Sequence, residues 1–128
     1  MLGMLLFLFG LITGLVMANF KNPRMGLSAH MEGILNGIFL VLAGIIWNDL
    51  TISKSLGRAA YVTLIYGTYA NWITTGCAAW LGTSKMTPLT GSGFHGTDFQ
   101  EQLVTYGFIS VGLTMLFSLT VMIYGLRK

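Results

Sequence analysis

Residues 22–47 read NPRMGLSAHMEGILNGIFLVLAGIIW, a polar and charged start followed by an almost unbroken apolar run. A helix needs about 20 largely apolar residues to cross a bilayer, and this run is long enough. From residue 28 to residue 47 this run contains two ionisable side chains, His30 and Glu32. Ionisable residues are costly inside a membrane and usually serve a function there. The stretch therefore predicts a membrane-spanning helix with a functional site near its start.

The composition of the whole chain is that of an integral membrane protein. Hydrophobic residues make up 54% of the 128 residues and charged residues only 9%. A soluble domain of this size cannot hide so much apolar surface in one core. Three further apolar runs are long enough to cross a bilayer, so the sequence predicts spanning helices near residues 1–20, 28–47, 57–81 and 102–126.

We therefore expect an all-α fold, a single transmembrane domain over residues 1–128 built as a four-helix bundle. Four crossings place both termini on the same side of the membrane as the second connection. Basic side chains are slightly more numerous on that side: Lys54, Arg58, Arg127 and Lys128, against Lys21, Arg24 and Lys85. The positive-inside rule then predicts a multi-pass protein of the inner (plasma) membrane with cytoplasmic termini.

Charge and cysteine content argue against two classes of function. The net charge of +3 is spread over both faces, which suits lipid headgroups rather than nucleic acid. Cys77 is the single cysteine, so an internal disulfide is excluded and nothing indicates thiol chemistry.

The second predicted helix carries a histidine above a track of glycines. At 100° per residue, His30, Gly33 and Gly37 share one strip, while Glu32 and Asn36 lie on a different side. The glycine spacing is typical of membrane helices that approach each other closely. It is also compatible with a flat trough for a planar cofactor such as haem, with His30 as an axial ligand of the iron. A third interpretation makes His30 a hydrogen-bonding residue at the membrane interface, and all three stay open.

Histidine content favours one type of haem site over another. The second histidine, His95, lies in a glycine-rich loop, so a cytochrome with two intramembrane histidine ligands is disfavoured. A haem held by His30 alone keeps an open iron position for a ligand or substrate, unless one of the 8 methionines fills it.

Polar side chains of the second and third helices also need partners in the membrane. Asn36 and Asn71 carry amides that hydrocarbon cannot satisfy, so they bond each other or orient a substrate. Glu32 is expected to pair with Arg24 or Lys21, or to take part in chemistry.

Three segments, together with Asn36-Gly37, carry a resemblance to known proteins: NPRMGLSAHMEG (22–33), YGTYANW (66–72) and QLVTYG (102–107). They resemble the hydroxylaminobenzene mutase family, and the similarity runs through all four predicted helices. A more distant resemblance, through Ala29-His30 and Leu35-Asn36-Gly37, is to bacterial styrene oxide isomerase, a membrane homotrimer with haem b between its subunits. The resemblance implies that His30 is the axial ligand, that Asn36 faces the substrate and that the protein is a homotrimer.

The resemblance to the mutases implies an isomerase that acts on a small aromatic substrate, as in the degradation of aromatic nitro compounds. An arylhydroxylamine such as hydroxylaminobenzene becomes an ortho-aminophenol, with haem iron as Lewis acid. In this hypothesis Asn36 and Asn71 hold the heteroatoms and Glu32 moves the ring proton. A tyrosine donates a hydrogen bond, with three candidates: Tyr66, Tyr69 and Tyr106.

Two other functions remain possible at this point. One is the isomerisation of aryl epoxides to aldehydes, although Thr75 and Gly67 stand where the epoxide isomerase's active-site tyrosine and aspartate align. The other is a non-catalytic haem-binding membrane anchor or sensor subunit that associates through its glycine-lined helix.

Overall fold

Four long helices make up the computed structural model, which describes residues 1–127. They are α1 (Leu2–Val16), α2 (Pro23–Ile46), α3 (Lys54–Leu81) and α4 (Asp98–Gly125). Short 3₁₀ turns, Met17–Asn19 and Trp47–Asp49, follow the first two helices. No strand occurs within the described residues, so the predicted all-α class is confirmed.

Helices α2, α3 and α4 begin three to five residues earlier than the apolar runs predicted, because polar residues cap them. The Asn22 side chain accepts the Met25 N–H at 3.2 Å, and Pro23 occupies the first helical turn. The Ser53 side chain caps α3. Thr97 and Gln100 form a reciprocal capping box at the start of α4. The first turns of these three helices are therefore polar, and a prediction from hydropathy alone leaves them outside the helices.

Within residues 1–127, three helical segments are long and apolar enough to cross a membrane: Leu2–Asn19, Pro23–Asp49 and Asp98–Gly125. The fourth predicted span, α3, has 28 residues and hence a length of about 42 Å, but it carries threonines, tyrosines and Asn71. Its length suffices for a crossing, and its polarity lowers its hydropathy. The chain thus has the character of a multi-pass membrane protein.

Glycines bring α1 and α2 into close contact. A Cβ atom added to Gly10 would lie 2.6 Å from the backbone nitrogen of Ile34, and one added to Gly37 would lie 2.5 Å from that of Phe7. Gly33 packs directly on Gly10. The glycine track of α2 therefore allows close packing of α1 against α2. Helix α1 covers the strip on which a flat cofactor trough was predicted.

The remaining helices pack in chain order, α2 against α3 and α3 against α4. Two small buried clusters mark the contacts, one around Ala43, Leu64 and Met122 and the other around Met25 and Ala78. Large apolar side chains such as Leu15, Ile45 and Leu113 point outward. An apolar exterior of this kind suits lipid or another subunit.

The connection between α3 and α4 is fixed by polar contacts. The carboxylate of Glu101 accepts the backbone N–H groups of Ser84, Lys85 and Gly96 at 2.9–3.2 Å. From the start of α2, the Asn22 amide donates to the Thr90 carbonyl at 2.9 Å, and Arg24 donates to a carbonyl of the same loop. This loop therefore links the start of α2 to the end of α3 and the start of α4.

Candidate active site

Three polar side chains meet between α2 and α3. The amide nitrogen of Asn71 donates to Oε2 of Glu32 at 2.6 Å, and that of Asn36 donates to the same oxygen at 3.0 Å. A carboxylate oxygen accepts only, so both amides must turn their NH₂ groups toward it. Asn36 is buried, and Glu32 and Asn71 are half-buried. Asn36 and Asn71 thus meet through Glu32 rather than bonding each other.

The expected ion pair of Glu32 with Arg24 or Lys21 is wrong. Glu32 lies eight residues after Arg24, which is roughly 12 Å further along the helix. Both basic side chains instead donate to backbone carbonyls, Lys21 to Leu81 at 3.0 Å and Arg24 to Ser92. Among residues 1–127, the hydrogen-bond partners of the Glu32 side chain are the two amides.

His30 lies on the side of α2 that faces α1. Its Nδ1 atom is 2.8 Å from the carbonyl oxygen of Gly10. The carbonyl can only accept, so Nδ1 is the donor in this hydrogen bond, and Nε2 is the ring nitrogen that remains for another partner. Gly14 makes room for the ring, because a Cβ atom there would lie 2.6 Å from Nδ1.

The hydrogen bond that His30 makes is of the kind that a metal-ligating histidine makes. Such a histidine usually donates its other ring N–H to a carbonyl or carboxylate, which fixes the tautomer and the ring orientation. Nε2 has no hydrogen-bond partner in the described chain and is not sealed from the exterior. No three His, Cys, Asp or Glu side chains converge within residues 1–127, so a metal here would need other ligands, such as the nitrogens of a porphyrin.

The side chains of His30 and Glu32 lie on different faces of α2. The ring of His30 contacts α1, whereas Glu32, which also accepts the Asn36 amide, contacts Asn71 on α3. The two candidate groups are therefore separated by the helix itself within one copy of the chain.

The candidate tyrosines make other hydrogen bonds. Tyr69 donates to the carbonyl of Leu2 at 2.8 Å, and the Tyr66 hydroxyl lies 2.9 Å from the Ser110 hydroxyl on α4. Tyr106 is 68% exposed on the outer face of α4. In the part of the chain that is described, none of the three contacts the Glu32 carboxyl by a hydrogen bond.

Trp72 is a site neighbour that the sequence places among the aromatic residues of the third helix but to which it assigns no role. Its indole N–H donates to the Thr13 hydroxyl at 3.0 Å, and its ring stacks on Phe9 with 5.4 Å between centroids. A Cβ atom on Gly33 would lie 3.0 Å from the indole, so Trp72 contacts α2 as well as α1. Its position beside Asn71, and the isolated threonine in the apolar α1, are the signals that could have found it.

An aromatic groove opens beside Trp72 between α1 and α3. The cavity has a volume of about 330 Å³, and Phe20 and Trp80 also line it. Gly76 forms part of the wall, and a Cβ atom there would meet nothing within 4 Å. The groove therefore offers an apolar, aromatic surface next to the helix that carries Asn71.

Taken together, the fold and the site define a membrane protein with a carboxyl–amide cluster inside its helices and a histidine held by a backbone carbonyl. Comparison with known proteins identifies the family: the chain belongs to the styrene oxide isomerase family, whose model matches residues 1–127. No solved structure matches the chain.

Two curated relatives come from Ectopseudomonas oleovorans. Hydroxylaminobenzene mutase HabB is 42% identical over 128 residues, covering 99% of this chain and 78% of the relative. Hydroxylaminobenzene mutase HabA is 37% identical over 127 residues, covering 98% of this chain and 94% of the relative. Mutases are isomerases, so the chain is an isomerase, as its sequence predicted.

Proposed function

We propose that this protein converts an arylhydroxylamine such as hydroxylaminobenzene to an ortho-aminophenol by moving the oxygen from nitrogen to the ring. Similarity to two mutases over nearly the whole chain supports this reaction. The rearrangement needs no second substrate and no net oxidation, so one pocket within the membrane suffices. The aromatic groove beside Trp72 suits a substrate with a single ring.

The hydrogen bond between His30 Nδ1 and the Gly10 carbonyl is the observation that supports the proposed cofactor. The Nδ1–H of His30 is held by the Gly10 carbonyl, which leaves Nε2 as the ligand atom for the iron of haem b. When bound, haem supplies a Lewis acid for the hydroxylamine oxygen. We assign no cofactor contact to Gly33 or Gly37, because α1 covers both.

The chain's own residues then supply a dry and polar environment. Breaking the N–O bond leaves an electron-deficient ring, which water would quench. Surrounding apolar helices exclude water, and the Glu32 carboxyl group, held by the Asn71 amide, supplies a fixed polar group within them. Tyr69 or Tyr66 supplies a hydrogen-bond donor after exchanging its present acceptor for the substrate.

We further propose a homotrimer in the inner membrane, with cytoplasmic termini. The apolar exterior of the helices supports burial against lipid and other subunits. His30 and Glu32 face opposite neighbours within one copy, so an assembly in which one copy supplies His30 and the next supplies Glu32 would bring both to one substrate.

The experiment compares detergent-purified wild type with His30→Ala. Each sample is examined by absorption spectroscopy and then incubated with hydroxylaminobenzene or with styrene oxide, and the products are separated by chromatography. We expect a haem band and 2-aminophenol from the wild type, and the loss of both in the variant. Conversion of styrene oxide alone would favour epoxide isomerisation, and a haem band without product from either substrate would favour a sensor or anchor.

A further inference from the structure

Glu32 is the acidic side chain that lies deepest in a spanning helix. The chain has 4 acidic residues, and the other three, Asp49, Asp98 and Glu101, lie near helix ends. Along the helices, Arg24 is roughly 12 Å from Glu32, and Arg58 is roughly 20 Å from Asn71. A carboxyl group in a membrane helix without a nearby cation marks a functional group rather than a structural ion pair.

The two oxygens of Glu32 have different surroundings. Oε2 accepts both amides, from Asn71 at 2.6 Å and from Asn36 at 3.0 Å. Oε1 has no hydrogen-bond partner among residues 1–127, and it is not sealed from the exterior. The amides therefore fix the orientation of the carboxyl group, while Oε1 is left to accept a proton.

We propose that Glu32 is the acid–base residue of the rearrangement, acting through Oε1, and that Asn36 and Asn71 are positioning residues that hold Oε2. This inference rests on the proposed function and extends it to the proton transfers. It assigns the asparagines a different task from holding the substrate, because their NH₂ groups already donate to the carboxylate.

The proton transfers balance within this one residue. Once the oxygen has left nitrogen and bonded to the ortho carbon, that carbon carries both a hydrogen and a hydroxyl group, and the nitrogen is an imine. Oε1 takes the ring proton, the C–H electron pair restores the aromatic ring, and the C=N π pair moves to nitrogen. Nitrogen then takes the proton from the Glu32 carboxylic acid, which regenerates the carboxylate and needs no oxidant or reductant.

The test is a double-mutant cycle on the whole chain in detergent. The kcat for hydroxylaminobenzene is measured for wild type, Glu32→Gln, Asn71→Leu and the combined variant, each also with the 2,6-dideuterated substrate. We expect Glu32→Gln to lower kcat roughly 100-fold or more and to raise the kinetic isotope effect, because removal of the ring proton becomes rate-limiting. Asn71→Leu should slow the wild type but slow Glu32→Gln by less than about twofold, because its effect passes through Glu32.

Matched variants separate chemistry from folding. Asn48→Leu removes an exposed asparagine from the turn after α2, and it should change neither kcat nor the isotope effect. Glu32→Asp keeps a carboxyl group, so it should retain more activity than Glu32→Gln even where both lower the melting temperature.

The outcomes also distinguish this inference from the proposed function. A wild type that forms no 2-aminophenol overturns both. A Glu32→Gln variant with wild-type kcat and an unchanged isotope effect overturns the acid–base role while the function stands. Multiplicative effects of Glu32→Gln and Asn71→Leu would show that Asn71 acts on the substrate directly, which contradicts its positioning role.

Discussion

The Nδ1 atom of His30 lies 2.8 Å from the carbonyl oxygen of Gly10, so helix α1 determines which nitrogen of the ring is free. The contact exists because Gly10 and Gly14 let the two helices approach closely. The glycines of α1 thereby act on the proposed iron ligand of α2. This link between packing and ligand chemistry leads to the first two predictions.

Gly14→Ala should weaken haem binding. The added Cβ atom would lie 2.6 Å from His30 Nδ1, so the ring must move away from the Gly10 carbonyl. We expect a smaller haem absorption per protein and faster haem loss to an acceptor protein. Gly44→Ala is the control, because a Cβ atom there meets nothing within 4 Å. Equal haem retention in both variants would contradict the role of Gly14.

Gly10→Ala should destabilise the contact between α1 and α2. The new methyl group would meet backbone atoms of Gly33 and Ile34 at 2.6–2.7 Å, and backbone cannot rotate away as a side chain can. Overpacking of this kind costs about 1–3 kcal/mol. Thermal unfolding in detergent measures the loss, with Gly112→Ala as a matched substitution in open space. A melting temperature equal to that of the control would refute the tight packing.

Gly76→Leu should fill the aromatic groove without disturbing the fold. A Cβ atom on Gly76 would meet no neighbouring helix or side chain within 4 Å, so a leucine side chain has room there. Since the side chain would occupy the cavity of about 330 Å³ beside Trp72, we expect a higher KM with an unchanged melting temperature. Steady-state kinetics with hydroxylaminobenzene test this. An unaltered KM would mean that the substrate binds elsewhere.

Glu101→Gln should loosen the α3–α4 loop and leave the chemistry intact. The charged carboxylate accepts N–H groups of Ser84, Lys85 and Gly96, and a neutral amide accepts them more weakly. A loss of about 1–2 kcal/mol in unfolding free energy is expected. Asp98→Asn, at an exposed position nearby, is the comparison. A decrease in kcat at temperatures where Glu101→Gln remains folded would show that the loop also affects catalysis.

The apolar runs of the sequence predicted the helical fold and the number of helices, because a helix that crosses lipid must be long and apolar. The apolar runs did not predict where α2, α3 and α4 begin. Capping by Asn22, Ser53 and Thr97 extends these three helices into polar sequence. Hydropathy alone does not identify α3 as a membrane-spanning helix, because its polar residues, which face other helices, lower its mean hydropathy. Composition and length thus predicted the class of fold, and local hydrogen bonds set its boundaries.

The sequence identified the polar residues of the candidate site but not their pairing. Helical spacing placed Glu32 and Asn36 on one face, and the structure joins that face to Asn71. The choice of Asn71 over Arg24 as the partner of Glu32 depends on how α2 and α3 pack, which spacing within one helix cannot show. The contact of His30 with Gly10 is likewise a tertiary one.

The most direct test of the central claim, an intramolecular oxygen transfer in a pocket that excludes water, is the origin of the product's oxygen. Wild-type protein is incubated with hydroxylaminobenzene in water enriched in oxygen-18, and the 2-aminophenol is analysed by mass spectrometry. We predict that the product contains no label from the solvent, because the hydroxylamine oxygen itself returns to the ring. Incorporation of oxygen-18 to the level of the solvent would contradict the account, since water would then be the source of the phenol oxygen.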